Sequence, residues 1–230
     1  MKTIGIMGGM GPMATVDLMK KIILATPAKT DQEHIPMLVD NAPQIPDRTK
    51  AIMGQGESPV PAMTKSAQRL EAGGADFIII ACNTAHYFLP EVAPKVKIPV
   101  LSIIEVAVSC AQAKGYKSVG LLATSGTIRT GLYQKALEAK ALKCITPKAD
   151  KQHLIDDMIY DGVKAGNNDY DTTEVRQLLQ EMQQEGAEAF ILGCTEVPVA
   201  VAMYDLQGTF IDSTEELAKA AVKYAMADKD

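Results

Sequence analysis

The sequence predicts an α/β protein of two similar domains with parallel-sheet cores, related by an internal pseudo-repeat, with the active site in a cleft between them. Three observations predict it. Short apolar runs alternate with amphipathic stretches along the whole chain, the pattern of βαβ units. Three pairs of segments recur at nearly the same separation. In each repeat the polar residues follow an apolar run, where strands of a parallel sheet end and ligands bind.

The first run, near 2–7, passes through a glycine turn into an amphipathic helix over 12–26, with Pro12 in its first turn. Strands follow near 36–40, 76–81 and 98–102, with helices over 61–73 and 103–115. The second half reads as a strand near 118–123, a helix over 127–141 and a strand near 143–146. Helices over 151–164 and 171–186 come next, then strands near 188–193 and 209–212 and a last helix over 214–227. Ile4-Gly-Ile-Met-Gly-Gly-Met-Gly11 matches Val119-Gly-Leu-Leu-Ala-Thr-Ser-Gly126. Gly74-Ala-Asp-Phe-Ile-Ile-Ile-Ala-Cys82 matches Gly186-Ala-Glu-Ala-Phe-Ile-Leu-Gly-Cys194, and Val100-Leu-Ser-Ile-Ile-Glu105 matches Phe210-Ile-Asp-Ser-Thr-Glu215. A period this long is a duplicated domain rather than a solenoid. Residues 1–97 with about 209–230 are assigned to the first domain and about 98–208 to the second.

A chain of 230 residues with 47% hydrophobic and 22% charged residues reads as an ordinary globular protein. A net charge of −5 and the lack of a basic run argue against nucleic acid as partner. No apolar stretch approaches a membrane span, and Met1-Lys-Thr-Ile-Gly-Ile runs straight into a strand pattern rather than a signal peptide, so the cytoplasm is expected. Four scattered cysteines without a C-x-x-C pair or nearby His suggest neither a disulfide framework nor zinc. Cys110 and Cys144 read as buried small hydrophobes. Position sets Cys82 and Cys194 apart, since each closes a strand where the chain opens into a crevice. If the two halves face each other, two thiols flank one cleft, an arrangement suited to removing a proton from one face of a carbon and returning one to the other.

The loop Gly8-Gly9-Met10-Gly11-Pro12 admits two readings. Gly9-Met-Gly11-Pro-Met-Ala14 fits the dinucleotide fingerprint G-x-G-x-x-A, with Asp40 placed as a ribose acid. The preferred reading is a tight turn that lines a pocket or exposes helix amides to an anion. Thr124, Ser125 and Thr127 at the counterpart helix start suit a carboxylate, and equally suit ordinary N-capping. Thr84 and Thr195 can bond substrate or thiol, and Asn83 can hold a carboxylate. His86 reads as a surface or helix-face residue rather than an orienting base. Arg48 and Lys164, taken by themselves, read as solvated cations.

Together these residues resemble the cofactor-independent aspartate racemases of the Asp/Glu racemase superfamily over the whole chain. The resemblance rests on Ile6-Met-Gly-Gly-Met-Gly-Pro12, Asn41-Ala-Pro-Gln-Ile-Pro-Asp-Arg48-Thr49, Ala81-Cys82-Asn-Thr-Ala-His86, Leu122-Ala-Thr-Ser-Gly-Thr127, Gly162-Val-Lys164 and Gly193-Cys194-Thr-Glu196. It implies Cys82 and Cys194 as acid/base thiols working without cofactor or metal on L- and D-aspartate. It further implies that Arg48 and Lys164 hold carboxylate, that Asn83, Thr84, Ala85, Thr124, Ser125, Thr127, Thr195 and Glu196 surround the substrate, and that Gly9, Met10 and Gly11 line the cleft. A homodimer is implied as well. Glutamate racemases carry Asp-Ser-Gly in the first loop, where this chain has Gly8-Gly9-Met10, so the resemblance is to the aspartate branch. Other racemases or isomerases of small dicarboxylates share the fold, and a small-anion binding protein is the alternative of another class.

Overall fold

The computed structural model describes residues Met1–Ala227. In chain order the elements are β1 (Ile4–Gly8), α1 (Pro12–Ala25), β2 (Met37–Asn41), α2 (Arg48–Ile52), α3 (Val60–Ala72), β3 (Phe77–Ile80), α4 (Leu89–Val92) and β4 (Val100–Leu101). They continue with α5 (Ile103–Ala113), β5 (Ser118–Leu122), α6 (Ser125–Thr130), α7 (Leu132–Glu138), β6 (Lys143–Ile145), α8 (Gln152–Asp157) and a π-helical segment over Met158–Lys164. α9 (Thr173–Gln184), β7 (Ala189–Leu192), α10 (Val197–Met203), β8 (Phe210–Asp212) and α11 (Ser213–Met226) complete the chain.

The strands form two parallel four-stranded sheets of identical topology, β2-β1-β3-β4 and β6-β5-β7-β8. The central strands are buried except at Ser118, the first residue of β5. β1 reads Ile-Gly-Ile-Met-Gly and β3 Phe-Ile-Ile-Ile because helices cover both faces, so apolar runs replace alternation. β2, at a sheet edge, is half exposed. Helix α9 shows how the flanking helices attach. Val175, Leu178, Leu179 and Met182 recur at helical spacing and are all buried, each contributing roughly 2 kcal/mol of apolar burial.

The chain divides into two units, residues 1–103 with 214–230 and residues 104–213. Each boundary therefore lies a few residues later than expected. β4 pairs with β3 and stays in the first unit, and β8 pairs with β7 and stays in the second. The chain leaves each unit only after completing its last strand. The helix that follows is the exchanged element: α11 packs on the first unit, where Tyr224 meets the Phe77 ring edge-on at 4.7 Å.

Two expected helices differ. The stretch 127–141 is broken at Gly131, whose φ of +66° ends α6 with a left-handed cap before α7 begins. The stretch 151–164 starts as α8 and widens to π-helical winding before Lys164. Cys110 and Cys144 are only partly buried, a correction to their reading as core residues; both lie on elements with one solvated side. Among the described residues no helix is long and apolar enough to cross a membrane.

Candidate active site

Each unit places most of its predicted residues just after its two central strands, while Arg48 follows the edge strand β2 and Lys164 ends the π-helical segment after α8. At the central strands the chain order reverses across the sheet, the position where open α/β sheets bind ligands. The two units are built differently at that point.

In the first unit the glycine loop after β1 is packed by its own chain. Gly9 has φ +88°, its N–H donates to Thr15 Oγ1 at 2.9 Å, and that hydroxyl donates to Gly11 O at 3.1 Å. A Cβ on Gly9 would lie 2.3 Å from the Ala42 carbonyl carbon, and one on Gly8 would lie 2.4 Å from Thr15 Oγ1. The glycines thus accommodate neighbouring protein atoms. Asp40 is bound to Arg69 at 2.6 Å. Both features of the dinucleotide reading are therefore accounted for by contacts within the protein. Gly9→Ala is expected to cost about 3 kcal/mol or more, because a left-handed φ and a backbone clash combine; urea denaturation measures it.

That loop buries Met10 in one apolar cluster with Ile45, Cys82, Ala85 and Phe88. Arg48 begins α2, a helix of five residues that hydrophobic periodicity does not predict. Its signal was Asp47, which caps it by accepting the Lys50 N–H at 2.8 Å. The Arg48 guanidinium donates to the carbonyls of Ile45 (3.1 Å), Pro46 (2.9 Å) and Met10 (3.4 Å), and its Nε is buried without a hydrogen-bond partner among the described residues. Arg48 is therefore held against the glycine loop rather than solvated, a correction to the reading made from the residues alone. Cys82 follows β3 and is buried, as are Asn83, Thr84 and Ala85 in the turn after it.

His86 is buried, 5% exposed, not on the surface. The chain turns through a 3₁₀ helix over Thr84–Phe88, which carries the ring inward rather than around an α-helical face. Its Nδ1 lies 2.9 Å from the Cys82 carbonyl, and its Nε2 accepts the Ile103 N–H at 3.2 Å. Burial lowers its pKa from 6.5 to about 4, against smaller upward contributions from the backbone of Cys82, Leu101 and Asn83. The unfolded chain takes a proton on this ring as pH falls below about 6.5, whereas the folded protein resists until about 4. Stability from the neutral ring is thus present above pH 6.5 and lost between 6.5 and 4, about 3 kcal/mol in all. Denaturation of wild type and His86→Asn across that window should show the difference.

In the second unit Thr124 caps α6 by accepting the Thr127 N–H at 3.3 Å. Asp156 Oδ1 accepts the Ser125 N–H at 2.9 Å, and Gln152 Nε2 donates to Ala123 O at 2.9 Å. The helix start thus has internal capping partners, two of them on α8, which the sequence reading did not associate with it. Burial raises the Asp156 pKa, partly offset by the Ser125 N–H.

Cys194, after β7, is buried and bonded to Glu196, which in turn pairs with Lys164. Its Sγ donates to Glu196 Oε2 at 3.0 Å, Thr195 Oγ1 donates to the same oxygen at 3.1 Å, and Lys164 Nζ lies 3.7 Å from Glu196 Oε1. The ammonium also sits 4.7 Å from the Tyr160 ring centroid. Burial first, then the Glu196 charge and hydrogen bond, push the thiol pKa well up. The Glu196 backbone N–H and the Lys164 charge oppose this. The thiol is therefore held protonated and oriented. Glu196 and Thr195 form this support, in keeping with the reading of Thr195 as a partner of substrate or thiol. Gly193 leaves room for Tyr133, whose ring would lie 3.3 Å from a Cβ there. Among the described residues, no group of three or more His, Cys, Asp or Glu is arranged to hold a metal.

A family model described as Asp/Glu/Hydantoin racemase matches residues 7–221. The broad specificity amino-acid racemase RacX of Bacillus subtilis (strain 168) is 28% identical over 228 residues, 97% of this chain and 98% of the relative. The Picrophilus torridus aspartate racemase structure superimposes with a TM-score of 0.82 at 35% identity, covering 98% of this chain and 94% of that one. A glutamate racemase of Corynebacterium glutamicum is 31% identical over 160 residues, 66% of this chain and 57% of the relative.

Proposed function

The chain belongs to the Asp/Glu/hydantoin racemase family, and from that premise we propose that it interconverts L- and D-aspartate by cofactor-independent two-thiol proton transfer. One observation carries the reading. Each unit holds a buried cysteine at the same station of the same topology, Cys82 after β3 and Cys194 after β7. In the proposal these thiols work on opposite faces of the substrate α-carbon. Cys194, held protonated beside Glu196, donates; Cys82, as thiolate, removes the α-proton. The reverse reaction exchanges these roles. Positioned proton transfer of this kind supplies about 10²–10⁴-fold. Arg48 and Lys164 bind carboxylate and offset the charge that develops at the carbanion-like transition state. The turn Asn83-Thr84-Ala85, the loop carrying Thr124, Ser125 and Thr127, and the loop Gly9-Met10-Gly11 enclose the substrate. Thr195 and Glu196 serve the Cys194 thiol.

Aspartate is favoured by the similarity to the Picrophilus torridus aspartate racemase. The full-length similarity to a broad-specificity racemase supports a second reading, a wider amino-acid range. The test is incubation with L-aspartate in D₂O without added cofactor, following α-deuterium and D-aspartate by chiral chromatography, with a panel of other amino acids alongside. Deuterated D-aspartate is expected. Turnover of other amino acids but not aspartate would establish the second reading, and no exchange with any would sink both.

The same proposal includes a homodimer. The face of α1 opposite its buried residues exposes Met13 (75%), Val16 (53%), Ile23 (44%) and Leu24 (73%). Antiparallel pairing of two copies about the middle of α1 sets Met13 against Leu24, joining apolar to apolar, and brings Lys20 near Asp17, which also pairs with Lys21 of its own helix. A monomer mass in sedimentation would remove this part. Four free cysteines suit a reducing compartment, so fractionation should find the protein with cytoplasmic markers.

A further inference from the structure

We propose that His86 is a positioning residue for the Cys82 thiol, clasping the Cys82 carbonyl to the Ile103 N–H across the carboxyl ends of β3 and β4. The inference rests on the role given above to Cys82.

The geometry assigns the ring's proton. The Ile103 N–H can only donate, so Nε2, 3.2 Å away, must be the acceptor. The proton then sits on Nδ1 and donates to the Cys82 carbonyl at 2.9 Å. Both nitrogens are thus engaged, and the ring has no free position from which to act on a thiol or substrate. It acts through the backbone instead. Ile103 is the first residue of α5, and its N–H belongs to the first turn of that helix, where amides lack intrahelical partners. β3 and β4 are paired, with Ile79 opposite Leu101, so the segments leaving them run close together. The ring spans that gap. By orienting the Cys82 carbonyl it sets the peptide plane of Cys82 and Asn83, and with it the direction of the Cα–Cβ bond that carries the sulfur. Burial keeps the ring neutral, which preserves one donor and one acceptor at working pH.

Two substitutions separate the two bonds. Asparagine reaches the Nδ1 position and can keep the donation to Cys82. Glutamine reaches the Nε2 position and can keep only the acceptance from Ile103. In D₂O, His86→Gln is expected to racemise about tenfold more slowly. It should also exchange the α-proton of one enantiomer with retention, the same enantiomer that Cys82→Ala still exchanges, because the opposite thiol remains in place. His86→Asn is expected to recover to within about threefold of wild type. A substrate-independent reading runs alongside: alkylation of Cys82 by iodoacetamide, followed by peptide mass spectrometry with Cys110 and Cys144 as internal references. His86→Gln should change the relative Cys82 rate severalfold, and His86→Asn should not. Two results overturn the proposal: an unchanged Cys82 alkylation rate in His86→Gln, or Gln and Asn variants equally impaired with both enantiomers losing exchange alike. If wild type racemises nothing, the functional reading fails, and the alkylation comparison still decides whether His86 holds the thiol.

Discussion

Replacing either Cys82 or Cys194 with alanine is expected to lower racemisation by at least about 10³-fold, the scale of a positioned acid or base. The physical reason is stereochemical. A single thiol can remove a proton from one face of the α-carbon and return one to the same face. Inversion needs a second donor on the other face. Cys82 belongs to an apolar cluster with Met10 and Phe88, and Cys194 to one with Leu192 and Val197, its sulfur also bonded to Glu196. Each single variant is therefore expected to exchange the α-proton of one enantiomer in D₂O with retention of configuration, and the two variants should select opposite enantiomers. Chiral chromatography with mass detection reads both quantities. Wild-type racemisation in either variant would end the two-thiol mechanism.

Glu196→Gln is expected to reduce racemisation about 10- to 100-fold and to lower the pKa of Cys194. Burial is the largest cause of that raised pKa and survives the substitution. The next causes are the carboxylate charge and its hydrogen bond with the thiol 3.0 Å away, and the charge does not survive. The Lys164 charge, which already favours the thiolate, is then no longer offset by a carboxylate beside the sulfur. The sign is definite: less negative charge beside the sulfur means easier ionisation. The catalytic loss follows because an acid that ionises early is unprotonated when the carbanion forms on its side. The pH dependence of Cys194 alkylation measures the titration directly. A midpoint unmoved by the substitution would show that Glu196 does not govern the thiol.

Much of this protein was legible because its signals are local. All eight strands lie where apolar runs predicted them, and α1, α3, α5, α9 and α11 lie where helical periodicity predicted them. The two cysteine segments could be matched because each ends a buried strand of the same topology. Shorter elements escaped. α2 spans five residues and carries almost no periodicity, so Asp47 was its main cue. α10 hides behind Pro198, which suits a helix start but also reads as a break. The interruption at Gly131 was missed because a glycine is tolerated inside a helical pattern until its φ is known.

The sequence by itself determined the two-sheet α/β class, the duplication and the stations of Cys82 and Cys194, since each depends on residues near in the chain or on a repeated pattern. Only the tertiary structure decided the rest. It turned His86 inward onto the Cys82 carbonyl and Ile103, brought Glu196 and Lys164 to the Cys194 thiol, and set Asp156 on the Ser125 amide. It also filled the space above Gly8 and Gly9 with Thr15 and Ala42. Most of these contacts join residues far apart in the chain or depend on which way one side chain points. A thiol's pKa and an imidazole's tautomer are set by distances of a few ångströms and by exclusion of water, and neither quantity exists until the chain has folded around them.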